Sequence, residues 1–156
     1  MSEIKNKTTL IDYGYDLSLC LHHHIERQVE QTPEVVAVVF GEQVLTYREL
    51  NDRASVLAAW LKQQGVRSGV LVGICLIRSL EMVIGLLGIL KAGGAYVPID
   101  PQYPSERIQF IADEIEAPVI LTQNQWKEKL SEIGVSLLCL DTDWETVAYV
   151  KPLAFA

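Results

Sequence analysis

Positive charge is in short supply in this chain. Its 13 Lys and Arg face 20 Asp and Glu, leaving a net charge of -7 at neutral pH, and the basic residues form no cluster. Binding to nucleic acid needs a positive face that neutralises phosphates. Nucleic acid is therefore excluded as a partner, and an anionic membrane surface with it. Cysteine is scarce as well. Cys20, Cys75 and Cys139 are odd in number, far apart and without a CxxC pair, which excludes a disulfide framework and a zinc site. The pattern predicts three buried, reduced thiols in a cytoplasmic protein. A long uncharged hydrophobic run is also missing. The most apolar stretch, residues 70–90, is interrupted by Arg78 and Glu81 and carries a helix-start residue at Ser79, so it reads as a strand and a helix rather than a membrane span. The N-terminus has no basic start followed by an apolar stretch, and so no secretory signal is read there.

What is present is apolar. Hydrophobic residues make up 49% of the 156, and the mean hydropathy is +0.19, on the apolar side for an isolated soluble domain. The length fits one domain. The composition suits a sheet covered on both faces, or part of a larger core.

Residues 1–17 read as a poorly ordered leader. A helix is predicted from Ser18 to Gln31, with Leu21, Ile25 and Val29 as its apolar stripe, ended by Thr32-Pro33. Val35 to Phe40 is a β-branched run that reads as a strand. Gly41-Glu42 turns it back into Gln43-Val44-Leu45. Thr46 opens the next helix: Thr46 and Glu49 have the spacing of a reciprocal cap, with Leu45 and Leu50 packed around it. Tyr47, Leu50, Ala54, Leu57, Ala58 and Leu61 make its apolar face, and Gly65 its left-handed stop. Val70 to Leu76 reads as a buried strand. Ser79 caps a helix from Leu80 to Lys91 that is apolar nearly all round, a pattern that calls for cover on more than one side. Lys91 in its last turn complements the helix dipole. Gly93-Gly94 gives the exit into a strand over Ala95–Ile99. A helix beginning at Pro104 carries Ile108, Ile111, Ala112 and Ile115 inward. A strand at 119–121, a helix at 126–133 and a strand at 135–140 follow. Alternating strands and helices predict an α/β fold of three layers, with a mostly parallel sheet and right-handed βαβ crossovers.

Chemical motifs are few. There is no GxxxxGK[ST] and no GxGxxG string. Gly93-Gly94 lies at a helix C-terminus, the wrong end for an anion. His22-His23-His24 are consecutive, and helical neighbours diverge by about 100°, so they do not converge on one ion. Cys75 lacks the electropositive setting of a reactive thiolate and reads as core. Asp141, Asp143 and Glu145 read as solvated surface, since a hard-cation loop needs more oxygen ligands and a glycine turn. Trp60, Trp126 and Trp144 are too dispersed for a stacking platform. No GxSxG elbow occurs.

Two strings at a telling separation remain, Leu45-Thr46-Tyr47-Arg48-Glu49-Leu50 and Leu90-Lys91-Ala92-Gly93-Gly94-Ala95-Tyr96-Val97-Pro98-Ile99-Asp100-Pro101. They resemble the first two core motifs of the adenylation domains of non-ribosomal peptide synthetases. The resemblance extends to Leu21-His22, Thr32-Pro33, Ala37-Val38, Gly73-Ile74-Cys75, Ser79-Leu80-Glu81-Met82 and Tyr103-Pro104-Ser105-Glu106-Arg107. It covers residues from about Cys20 to about Thr146. It implies the incomplete N-terminal portion of an adenylate-forming enzyme fold, with domain limits 1–17 (leader), 18–145 (adenylation, AMP-binding) and 146–156 (divergent tail).

Members of that family activate an amino acid with ATP and Mg, release pyrophosphate, and pass the aminoacyl group to a phosphopantetheine thiol on a partner carrier protein. The resemblance further implies that ATP is held by a Thr/Ser/Gly-rich loop ending in lysine, by later acidic residues and by a lysine of a small C-terminal subdomain. None of these motifs occurs between Met1 and Ala156. No catalytic, cofactor-binding or metal-binding residue is therefore assigned in this chain, and no cofactor to this chain by itself. The expected function is that of a truncated, inactive fragment of an amino-acid-activating domain. The alternatives are one half of a split adenylation enzyme, partnered by the remainder of the domain, and a non-enzymatic α/β interaction module. With Met1 so close to the start of the resemblance, an intact parent is expected to begin with its adenylation domain, as a loading module would. The last residues, unlike the family's spacer, are expected from a premature stop, a frameshift, a deletion or a split gene.

Overall fold

The computed structural model describes Asp16 and residues 18–148. The expected leader lies outside the described residues apart from Asp16, and so do residues 149–156 of the expected tail. In chain order the elements are α1 (Leu21–Gln31), β1 (Val36–Phe40), β2 (Gln43–Thr46), α2 (Tyr47–Gln63), β3 (Leu71–Cys75), α3 (Leu80–Ala92), β4 (Ala95–Pro98), α4 (Ser105–Glu114), β5 (Val119–Thr122), α5 (Asn124–Ser131), β6 (Ser136–Cys139) and α6 (Trp144–Ala148).

Four strands form a parallel sheet in the order β4-β3-β5-β6. Side chains on a strand alternate between faces, and the two cores divide accordingly. Val72, Ile74, Leu76, Val119, Leu121, Leu138 and Leu140 join Leu57 of α2, Ile84 of α3 and Val147 of α6 in one cluster. Cys75 and Ile120 join Ile108 and Ala112 of α4 and Leu130 of α5 in the other. This is the predicted three-layer arrangement. Helix α3 connects β3 to β4 in one direction along the sheet. After β4 the chain crosses back over β3 and continues through β5 and β6, with α4 and α5 on the opposite face. Crossovers of one hand require this exchange of faces when the winding direction reverses.

Strands β1 and β2 stand apart as an antiparallel pair, with a bulge between Val36 and Val38. Helix α1 begins at Leu21, three residues later than predicted, with Cys20 as its N-cap. Its expected stripe reaches the core only in part: Ile25 packs against it, while Leu21 is exposed. Cys20 is exposed too, so the prediction of three buried thiols holds for Cys75 and Cys139 alone. Helix α5 begins at Asn124, two residues earlier than predicted, because the Asp141 carboxylate accepts from the Asn124 amide at 2.9 Å. A cap supplied from 17 residues downstream leaves no local signature.

Helix α3 is apolar nearly all round and covered on more than one side, as predicted, with none of its residues exposed. Helix α2 lies against it so closely that a Cβ at Gly88 would stand 2.7 Å from Leu57 Cδ2. The cover that its sequence calls for comes from within the chain.

Candidate functional site

Open parallel sheets bind ligands beyond the carboxyl ends of their strands, where the winding reverses. Here that point lies between β3 and β5. Thr122 Oγ1 donates to the Cys75 carbonyl at 2.9 Å, tying the two strand ends together. The next residue, Gln123, is buried, and its Oε1 accepts from the Ile77 amide at 3.2 Å. On the β4 side, Asp100 accepts from the Gln102 amide at 2.8 Å, and Lys129 Nζ donates to the carbonyls of Pro101 (2.7 Å) and Tyr103 (2.5 Å). On the β6 side, Asp141 caps α5, and Asp143 accepts from the Cys139 amide at 3.0 Å. The acidic group read as plain surface is thus partly a set of chain-turning devices. A carboxylate shortly after a strand was the available signal.

The starts of α2, α3, α4 and α5 carry negative charge, whereas the first turn of α1 has no acidic residue. Glu49 lies in the first turn of α2, Glu81 in that of α3 and Glu106 in that of α4, while Asp141 occupies the start of α5. Free amides and the positive end of the dipole make a helix N-terminus attractive to anions. At α2 and α5 a carboxylate of the chain accepts from a backbone amide, and at α3 and α4 an acidic residue lies in the first turn. At α2 the Thr46 amide and hydroxyl donate to Glu49 Oε2 at 2.9 and 3.0 Å, and the Glu49 amide donates to Thr46 Oγ1 at 3.2 Å. These bonds hold the Glu49 carboxyl below its ordinary range. Leu45 and Leu50 are buried on either side of this cap.

The second string also resolves into structural tasks. Gly93 is the left-handed stop of α3, with φ of 90°, a conformation glycine adopts without steric cost. Gly94 has no room for a side chain, since a Cβ there would stand 2.7 Å from Val66 Cγ1 and 3.2 Å from the Val70 carbonyl oxygen. Lys91 does more than complement the dipole. Its side chain is only 8% exposed, and its ammonium pairs with Glu26 of α1 and donates to Asn51 Oδ1 of α2 at 2.9 Å. One cation therefore joins three helices. A single lysine in an otherwise apolar helix was the signal, because a buried ammonium requires partners. Beside it a cavity of about 460 Å³ is lined by His22, His23, Glu26, Ser55, Ala58 and Lys91. Burial, then His23, keeps the His22 imidazole below its ordinary pKa. The His22 and His23 rings do not diverge as expected but lie tilted with centroids 4.1 Å apart, yet among the described residues no group of three His, Cys, Asp or Glu has the placement to hold a metal ion. Burial also pushes the Cys75 thiol up to about 11 and the Cys139 thiol upward, away from reactive thiolate character.

The family model described as "AMP-binding enzyme" matches residues 25–151. The chain belongs to this family. Within it, the adenylation-domain fragment is 52% identical over 134 residues to a linear gramicidin synthase of Brevibacillus parabrevis, a match that covers 86% of this chain and 3% of that protein. It is 46% identical over 127 residues to tyrocidine synthase 2 of the same organism, covering 81% of this chain and 4% of the relative. The crystal structure of the non-ribosomal peptide synthetase FmoA3 (S1046A) shares its fold at a TM-score of 0.77 and 36% identity, over 86% of this chain and 15% of that one. The same protein has been solved with alpha-methyl-L-serine-AMP bound. The O-succinylbenzoate coenzyme A synthetase MenE of Bacillus subtilis, in complex with AMP, shows the fold at a TM-score of 0.71 and 20% identity, over 85% of this chain and 34% of that one. The chain is a fragment of a peptide-synthetase adenylation domain and spans a small part of its relatives' length. Among the described residues no helix is long and apolar enough to cross a membrane.

Proposed function

We propose that this chain is the scaffold portion of an amino-acid-activating adenylation domain and is inactive by itself. The complete domain would join an amino acid to AMP from Mg-ATP, release pyrophosphate and load the phosphopantetheine thiol of a carrier protein. Adenylyl transfer builds negative charge on the phosphates, which cations and backbone donors must meet. The described residues do not fit a triphosphate. Glu49 and Asp141 already accept from backbone amides at the starts of α2 and α5, and Glu81 and Glu106 add negative charge to the first turns of α3 and α4. Lys91 and Lys129 are committed to Glu26, Asn51 and two carbonyls. The carrying observation is that both family strings resolve into capping, chain reversal and the Lys91 junction.

The test is pyrophosphate exchange by the purified 156-residue chain against a panel of amino acids. No amino-acid-dependent exchange above background is expected. Robust exchange would overturn the reading and restore a self-sufficient enzyme.

A further inference from the structure

Helix α3 is covered, yet the molecule still exposes apolar surface, and much of it gathers on the β1–β2 hairpin. Val36, Val39 and Val44 are 48%, 64% and 52% exposed. Val39 and Val44 are direct cross-strand partners, so they form one continuous strip. A half-solvated antiparallel pair normally alternates apolar inward with polar outward. In this hairpin Val38 and Leu45 face the core, and the opposite face is apolar as well. A two-stranded ribbon is marginal by itself, and exposed apolar patches of this kind mark contact surfaces.

Two facts identify the occupant. The same fold occurs in proteins of which this chain covers 15% and 34%, so more polypeptide accompanies it there. The strip is also too small for a dimer, since a stable interface buries roughly 1,200–2,000 Å² and a few valines fall well short. Covalent continuation removes that requirement, because a tethered partner is present at high effective concentration. We propose that the outer face of the hairpin is a docking surface for an apolar segment of the remainder of the adenylation domain. This rests on the reading of the chain as part of such a domain.

The test joins the full chain to the polypeptide that lies C-terminal to the match in tyrocidine synthase 2. Hydrogen exchange of residues 36–46 is then compared in the isolated chain and in the chimera. The hairpin amides are expected to exchange about tenfold or more slowly in the chimera. Val39→Lys with Val44→Lys should abolish that difference while leaving the midpoint of thermal unfolding of the isolated chain almost unmoved. Glu128→Lys, on another face, should leave the protection intact. The same double variant should lower the fluorescence of an apolar-surface dye bound to the isolated chain, a readout that does not depend on the chimera folding. Equal exchange in both proteins, unchanged dye binding, or concentration-dependent protection of the isolated chain (a second copy on the strip) overturns the proposal. Pyrophosphate exchange by the chimera is read separately. An active chimera with an unprotected hairpin removes only this inference, whereas a protected hairpin in an inactive chimera leaves the docking surface standing and counts against the functional reading.

Discussion

Helix α3 and the β1–β2 hairpin both carry apolar residues on more than one side, and the chain treats them in opposite ways. Helix α3 lies between the sheet and α2, with none of its residues exposed. The hairpin is packed on one face only. The difference comes from the steric detail of their surroundings. Gly88 lets α3 approach Leu57 so closely that a Cβ there would force a shift, and Gly85 sits tightly against Ile74 and Leu140. The hairpin reaches the body through Ala37, Val38 and Leu45, and no described element lies over Val39 and Val44. Apolar character in a sequence thus states a demand for cover, and the fold decides whether the chain or another polypeptide meets it.

Truncations on the two sides should separate most widely. Leu57→Ala, at the fully buried contact with Gly88, is expected to cost roughly 2–5 kcal/mol. Val39→Ala on the exposed strip should stay within about 0.5 kcal/mol. Urea unfolding of both variants makes the comparison, and equal losses would abolish it. The next effect concerns the Lys91 junction. Lys91→Met leaves Asn51 and Glu26 without their cation, and because the Glu26 side chain is 40% exposed the loss should be about 1–2 kcal/mol. Glu26→Gln together with Lys91→Met should cost less than the separate losses added together.

Much of the body was legible in the sequence, because its elements are announced locally. Thr46 and Glu49 specify the start of α2, Ser79 that of α3 and Gly93 its end, and apolar strands alternating with helices specify the two-sided sheet. What escaped was carried by distant partners. The start of α5 depends on Asp141, the environment of Lys91 on Glu26 and Asn51, and the cover of α3 on Leu57. Helix α6 was missed as well: its Val147 is fully buried, although it lies beyond the boundary expected after Glu145. No site residue was assigned from the sequence. Such features as Asp141 and Lys91, which have roles in the fold, announce them only through long-range geometry.

Smaller effects sharpen the same contrast. Thr46→Ala removes a helix cap and should cost about 1 kcal/mol. The folded-state pKa of Glu49 is depressed, so its contribution is present above its unfolded pKa and fades as pH falls through the folded value. Wild type and Glu49→Gln should therefore differ in stability at neutral pH and converge in acid, as followed by circular dichroism. Thiol titration near neutral pH should show one fast cysteine, Cys20, with Cys75 and Cys139 reacting only on unfolding, since these two are buried. Three equally fast thiols would show that the sheet is not closed on both faces.

The most direct measurement is calorimetric titration of Mg-ATP into the purified 156-residue chain. A scaffold whose α2 and α5 starts already engage its own carboxylates, and whose buried lysine already has partners, should give no saturable heat. A tight, magnesium-dependent isotherm would contradict the account.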